Sequence, residues 1–165
     1  MRKRGYFQKK ERVPDQKYQR VDAGRFINYL MVGGKKATAE RVFYGALDVV
    51  GKSSKEEDAI AIFEKAIENA SPLIEVTSRR VGGANYQIPR DIRPDRKFFL
   101  ATHWIIAAAR AKKGKPMAEK LAEEIIAASK NEGTAIKKKL DMHRMAEANR
   151  AFASLIRQPR QASSV

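Results

Sequence analysis

The chain contains no cysteine. Disulfides and thiolate metal sites are therefore excluded, and a reducing compartment is permitted. Histidine is nearly absent as well, with only His103 and His143. Neither has a nearby pair of ligands at a metal spacing, and His143 lies in a basic stretch that makes it a poor metal ligand. His103, beside Trp104, reads as a residue of a helix surface or core edge. No apolar run approaches the roughly 20 residues of a membrane span. The N-terminus is basic but is followed by no apolar segment, which argues against a secretory signal. Convincing β signal is confined to one stretch. Negative charge is also scarce: 19 Asp and Glu face 34 Lys and Arg, for a net charge of +15. So large an excess of one sign repels itself unless an anionic partner neutralises it. The partners this points to are nucleic acid or an anionic membrane surface.

The β stretch runs from Ile74 to Pro89, where two short runs flank Gly82-Gly83. A two-residue hairpin turn needs positive φ at its centre, which glycine supplies without a Cβ penalty. That turn sets Arg79 opposite Tyr86, Thr77 opposite Ile88 and Glu75 opposite Arg90, all on one face. Arg80, Asn85, Ser78 and Gln87 share the other. Neither face is a clean apolar stripe, and an isolated hairpin is marginal in water. The hairpin is therefore expected to lean on helices at its base and to project Arg79, Arg80, Tyr86 and its amides outward, as a reading arm for a polyanion.

The rest of the chain reads as helices around that arm. Residues 1 to about 20 carry eight basic residues against Glu11 and Asp15, with Tyr6, Phe7 and Tyr18 interleaved and no helical period. This predicts an extended basic arm that meets a phosphate backbone. A first helix is expected from about Ala23 to Met31, with Phe26, Ile27, Leu30 and Met31 as its stripe. Gly33-Gly34 stops it, and Lys35 and Lys36 stand just before a second helix, about Thr38 to Val50, ended by Gly51. This corner lets the backbone approach a phosphate beside a helix start. It lacks the upstream glycine, the strand and the Lys-Ser/Thr ending of a P-loop.

Ser54-Lys55-Glu56-Glu57 has the form of a capping box opening a third helix to about Ala70, with Ile60, Phe63 and Ile67 inside. This helix is acidic, so charge is polarised along the chain, and its outer side is expected to face solvent or a protein neighbour. Arg93-Pro94 starts a fourth helix, with proline in its first turn and Leu100, Trp104, Ile105 and Ala108 as core positions. Pro116 begins a fifth, with Met117, Leu121, Ile125 and Ala128 inside. Thr134 is expected to cap a sixth helix to about Leu155, with Ile136, Leu140, Met145 and Phe152 apolar.

The predicted fold class is therefore mainly α: a six-helix, bundle-like body with one protruding β-hairpin between helices 3 and 4 and a basic extended N-terminal arm. The expected division is an arm at 1–20, a single helical domain at 21–155 with the hairpin at 74–90, and a C-terminal tail at 156–165. No set of residues reads as nucleophile, general base or metal site, so no enzyme, cofactor or metal is expected. The candidate RNA-binding residues lie in separate segments. They are Arg2, Lys3, Arg4, Lys9, Lys10 and Arg12 of the arm, Lys35 and Lys36 of the corner, and Arg79, Arg80, Gly82, Gly83 and Tyr86 of the hairpin. Arg93, Arg96 and Lys97 open the fourth helix, while Arg110, Lys112, Lys113 and Lys115 close it and form the loop beyond. Lys137, Lys138, Arg144 and Arg150 lie on the last helix. Sites so dispersed imply a wide contact, which suits folded RNA read by shape and phosphate. A DNA-bending architectural protein is the alternative, but such arms usually carry an apolar wedge where this chain has Gly82-Gly83. An RNA-directed enzyme ranks behind both.

Four motifs carry a resemblance. Phe26-Ile27-Asn28-Tyr29-Leu30-Met31 is followed by Gly34-Lys35-Lys36 and Ala39-Glu40. Glu75-Val76-x-Ser78-Arg79-Arg80-Val81-Gly82-Gly83-x-x-Tyr86-Gln87-x-Pro89 is the second, the Arg93-Pro94 start the third, and His143-Arg144-Met145-Ala146-Glu147-Ala148-Asn149 the fourth. Together they resemble the bacterial type of the small-subunit ribosomal protein seven family, from about residue 10 to 155. The resemblance implies six helices with a β-hairpin between the third and fourth. It implies binding to the 3′ major domain of 16S ribosomal RNA, a start to assembly of the subunit head, and a place near the exit-site transfer RNA and the messenger exit path. It also implies ribosomal proteins nine and eleven as neighbours, no stable homo-oligomer, and a cytoplasmic location in the small ribosomal subunit.

Overall fold

The computed structural model describes residues 13–53 and 58–156. In chain order these form α1 (Val21–Leu30), α2 (Lys36–Ser53), α3 (Ala59–Ala70), β1 (Ile74–Val81), β2 (Ala84–Asp91), α4 (Pro94–Ala111), α5 (Met117–Ser129) and α6 (Gly133–Ala148), with a final 3-10 helix from Arg150 to Ile156. The expected mainly helical class, with one hairpin between the third and fourth helices, is what is observed. No helix of the described residues is long and apolar enough to cross a membrane. The chain divides into two compact units, residues 1–41 and 42–165, with the division inside α2.

In the first unit, the Asp15 carboxylate accepts the backbone N–H groups of Lys17 and Tyr18, each at 3.1 Å. That turn leads into α1, whose buried residues are Ala23, Phe26, Ile27 and Leu30. Helix α1 begins two residues before the expected start, and Met31 caps its end rather than extending its stripe.

In the second unit, Phe43 of α2 meets Phe63 of α3 edge-on, with ring centroids 5.3 Å apart. The buried set includes Leu47, Ile60, Ile62, Ile67, Phe98, Ile105, Ile106, Leu121 and Ile125. Polar bonds tie the helices together at their ends. Asn69 of α3 donates to the Ala128 and Ser129 carbonyls at the end of α5, and Lys139 of α6 donates to the Asn69 carbonyl at 2.6 Å.

Several expected boundaries are corrected. Gly51 does not end α2, which continues to Ser53; its backbone stays helical, and a Cβ there would lie 3.8 Å from that of Ala59. The Ser54–Glu57 capping box falls outside the described residues, and α3 is capped by Asp58, which accepts the Ile60 N–H at 3.3 Å. Helix α6 starts at Gly133, so Thr134 is inside it rather than its cap. It ends at Ala148, well short of Leu155. Leu140 and Met145 are half or more exposed and not core positions, while Leu100, Trp104 and Met117 are only partly buried. Their places are taken by Phe98, Ala101 and Ile106 in α4 and by Ala122 in α5. Proline opens α4 as expected.

Candidate nucleic-acid interface

The hairpin is built as its turn chemistry dictates. Gly82 and Gly83 take φ of 57° and 91°, and nothing lies within 4 Å of a Cβ built on either. The two-residue turn sets an antiparallel register with Arg79 opposite Tyr86, Thr77 opposite Ile88 and Glu75 opposite Arg90, the expected pairing. Arg79, Arg80, Val81, Ala84 and Asn85 around the tip are exposed. The base is anchored: Ile88, Pro89 and Ile92 are buried, and the Ile92 N–H donates to the Leu73 carbonyl at 3.3 Å. Glu75 accepts Arg96 of α4 at 3.1 Å and faces Arg90 across the strands at 3.5 Å. Tyr86 does not project freely as expected. Its ring packs on Phe152 of the 3-10 helix at a centroid distance of 5.2 Å, which leaves it half-buried.

From the far side, His143 of α6 accepts the Leu73 backbone N–H on Nε2 at 3.1 Å. Burial, helped by the nearby Lys139 charge, pulls its pKa below the ordinary 6.5, so the neutral, accepting imidazole is favoured. His103 is exposed, with Nδ1 3.0 Å from the Phe99 carbonyl and its ring against that of Phe99.

The other candidate cations fall into groups. Lys35 and Lys36 are exposed at the corner after Gly33 and Gly34, where Lys36 opens α2 and pairs with Glu40 at 3.8 Å. Arg93 is exposed at the N-cap of α4, and Lys97 is partly buried in its first turn. In the loop after α4, Lys112 and Lys115 are drawn onto α5. Lys112 reaches Glu123 and Glu124 at 3.4 and 3.3 Å, and Lys115 pairs with Glu123. Each partner favours the other's charged form, raising the Lys115 pKa and lowering that of Glu123. Lys113 stands exposed between them, and Arg110 is exposed on the last turn of α4. On α6, Lys137 and Lys138 are exposed, and Arg144 pairs with Asp141 at 3.9 Å. Arg150, exposed beyond α6, pairs with Glu147 at 3.6 Å. Arg2, Lys3, Arg4, Lys9, Lys10 and Arg12 lie outside the described residues.

The turn between α5 and α6 is fixed by a buried carboxylate. Glu124, almost wholly buried, accepts the Ala135 N–H at 3.1 Å with one oxygen while the other faces Lys112. Gly133 takes φ of 93°, and a Cβ there would sit 3.0 Å from that first oxygen.

Comparison with known proteins shows the family of the chain. The profile of the family described as Ribosomal protein S7p/S5e matches residues 2–150. The chain belongs to that family. It is 55% identical over 140 residues to small ribosomal subunit protein uS7 of Thermotoga petrophila, covering 85% of this chain and 90% of that one. Against small ribosomal subunit protein uS7 of Marinobacter nauticus it is 51% identical over 145 residues, 88% and 92% of the two chains. An S7p/S5e member is a structural ribosomal protein of the small subunit and not an enzyme. The four motifs quoted above fall within the matched residues, and they build the α1 face, the corner, the hairpin and α6. One cation of the hairpin, Arg90, was absent from the expected set. Its position opposite Glu75, on the same face as Arg79 and Tyr86, was the available signal.

Proposed function

We propose that this ribosomal protein binds the 3′ major domain of 16S ribosomal RNA and nucleates assembly of the small-subunit head. In the assembled bacterial subunit, in the cytoplasm, its hairpin lies near the exit-site transfer RNA and the messenger exit path, with ribosomal proteins nine and eleven as neighbours. The protein acts as one copy and not as a stable homo-oligomer. Residues 1–20 serve as a basic arm, 21–155 as the RNA-binding body with its hairpin, and 156–165 as a tail.

One observation carries this reading in a chain of the S7p/S5e family. Lys35, Arg79, Arg80, Arg93, Lys113, Lys137 and Lys138 are exposed and have no carboxylate partner among the described residues. Exposed cations without internal partners suit phosphate contacts, which fix position on an RNA without reading its sequence. Lys36, Lys115, Arg144 and Arg150 pair with surface carboxylates and can exchange them for a phosphate at small cost, whereas Arg96 and Lys112 face the more buried Glu75 and Glu124. Gly82 and Gly83 allow the tip backbone to approach RNA closely. The test compares binding of the full chain to a folded 3′ major domain fragment, an unrelated folded RNA and duplex DNA at one salt concentration. Clear preference for the fragment is expected; equal binding to all three would reject the assignment.

A further inference from the structure

We propose that His143 is a proton-operated latch that sets how tightly the hairpin is held to α6. The inference is independent of what the hairpin binds. Two side chains one turn apart on α6 grip the short connection between α3 and β1 at both of its ends. Lys139 donates to the Asn69 carbonyl at 2.6 Å, and one turn further along, Nε2 of His143 accepts the Leu73 N–H at 3.1 Å. Within the connection Pro72 is fully buried, and the Ser71 hydroxyl donates back to the Ile67 carbonyl at 2.7 Å. Leu73 leads directly into β1, so the grip on its N–H bears on the direction in which the strands leave the body.

The two grips differ in kind. Lys139 is a donor and keeps its bond while charged. His143 is an acceptor, and only the neutral imidazole with its proton on Nδ1 offers the Nε2 lone pair. A proton on Nε2 sets donor against donor, and the bond to Leu73 is lost. The groove beside the ring carries Arg90 and Asp91 of β2, Glu147 of α6 and Arg150 of the 3-10 helix, so its charges of opposite sign are matched. Glu147 and Arg150 pair at 3.6 Å, and Glu75 of β1 is held by Arg90 and Arg96. From α3 the ring's neighbourhood receives the Asn69 carbonyl, which Lys139 already takes. Burial and the Lys139 charge then favour the neutral ring while the bond is closed. Once the bond opens, the ring meets water and its affinity for a proton returns toward the ordinary value of 6.5. The open form therefore takes up a proton more readily than the closed one, and acid shifts the population toward it. Protonation does not detach the hairpin, because Ile88 is buried, Glu75 holds Arg96 and Tyr86 packs on Phe152. It widens the range of tilt about those anchors.

The test uses the full chain, whose lack of cysteine lets two fluorescent labels be placed at will. A84C puts one at the exposed hairpin tip, and A107C puts the other on the exposed side of α4. Energy transfer between them reports the spread of distances from tip to body. With His143 in place, that spread is expected to broaden between about pH 7.5 and about pH 5.5, across the ordinary histidine range. With H143Q added, whose amide oxygen accepts the Leu73 N–H without titrating, it should stay narrow at both values. An unchanged spread with His143 in place would overturn the latch, as would equal broadening with H143Q. A second measurement needs no variant. Nuclear magnetic resonance of the isotope-labelled wild type detects a nitrogen–nitrogen coupling across the bond from Leu73 to Nε2. That coupling should be present near neutral pH and vanish as the imidazole protonates. Protection of the Leu73 amide from hydrogen exchange should fall with it by about fivefold, the scale of one hydrogen bond. No coupling near neutral pH, or a coupling that survives protonation, would reject the latch whatever the labelled proteins do.

Discussion

His143 gains a partner that only its neutral form can keep. Its Nε2 accepts the Leu73 N–H, so protonation removes the acceptor. Arg90, Asp91, Glu147 and Arg150 line the same groove, and Lys139 adds the like charge that acts on it directly. Burial and that charge depress the folded pKa, so the unfolded chain binds the proton more readily. Above the ordinary value of 6.5 both states are neutral and the contribution is complete. As pH falls below it, the unfolded chain protonates first, and stability is lost until the folded imidazole titrates too. The melting temperature of the wild type should therefore fall relative to H143Q between about pH 7 and pH 5, with the ordinary histidine value as the upper edge of the window. Parallel curves would show that His143 has no such role. The Lys35 and Lys36 pair tests a different property of single residues. Lys36 has only a surface pair with Glu40, and no partner for Lys35 is seen among the described residues. K35A/K36A should leave stability within about 0.5 kcal/mol, as for other surface changes. It should weaken 16S fragment binding, and unchanged binding would make the corner a plain turn.

At the scale of elements, one buried carboxylate joins three helices. Glu124 on α5 caps the first turn of α6 through the Ala135 N–H and holds Lys112 at the end of α4. In E124A a buried donor would lose its partner, a cost of about 1–3 kcal/mol. Chemical denaturation should show that loss, with a smaller one for E124Q, which retains a carbonyl acceptor; a neutral E124A would contradict this. The hairpin poses the functional question. Its tip contributes no buried residue, so removing residues 77–88 and closing the gap with a short glycine linker should leave the helices folded. That variant loses the buried Ile88, so a modest drop in stability is expected. Subunits carrying it should form but hold exit-site transfer RNA less well or keep frame less accurately. Loss of binding to isolated 16S RNA with folded helices would make the hairpin a primary anchor. The hairpin register was legible because two adjacent glycines specify a two-residue turn, and that turn leaves no freedom in the pairing. The helix ends were not. Gly51 carries no intrinsic stop when its neighbours hold a helical backbone, and Gly133 begins α6 because the turn needs positive φ beside Glu124. The Tyr86–Phe152 contact was hidden because it joins residues far apart in sequence. Lys112 and Lys115 read as free cations for the same reason, since their partners lie on the next helix.

For the molecule as a whole, charge sets the binding mechanism. A net charge of +15 is distributed over the arm, the corner, the hairpin, the loop after α4 and α6, and not gathered in one motif. Each exposed cation that meets a phosphate releases a condensed counterion, so affinity must fall as salt rises. The exposed cations lacking a carboxylate partner in the described residues, with the basic residues of the arm, are enough for about six to ten phosphate contacts. For that number, affinity for the 16S fragment should drop on the order of a thousandfold or more between roughly 50 and 200 mM monovalent salt, on the scale known for duplex DNA. Substitutions then divide into two classes. Removing a proposed phosphate contact such as Lys137 or Lys138 should reduce the slope of log affinity against log salt by somewhat less than one per cation. A change that acts through the stability of the fold, such as E124A, should lower the amount of folded protein and leave that slope alone. A nearly flat salt dependence of the wild type would mean that base edges and RNA shape, and not phosphate neutralisation, supply the binding energy, and the basic surface would need another purpose.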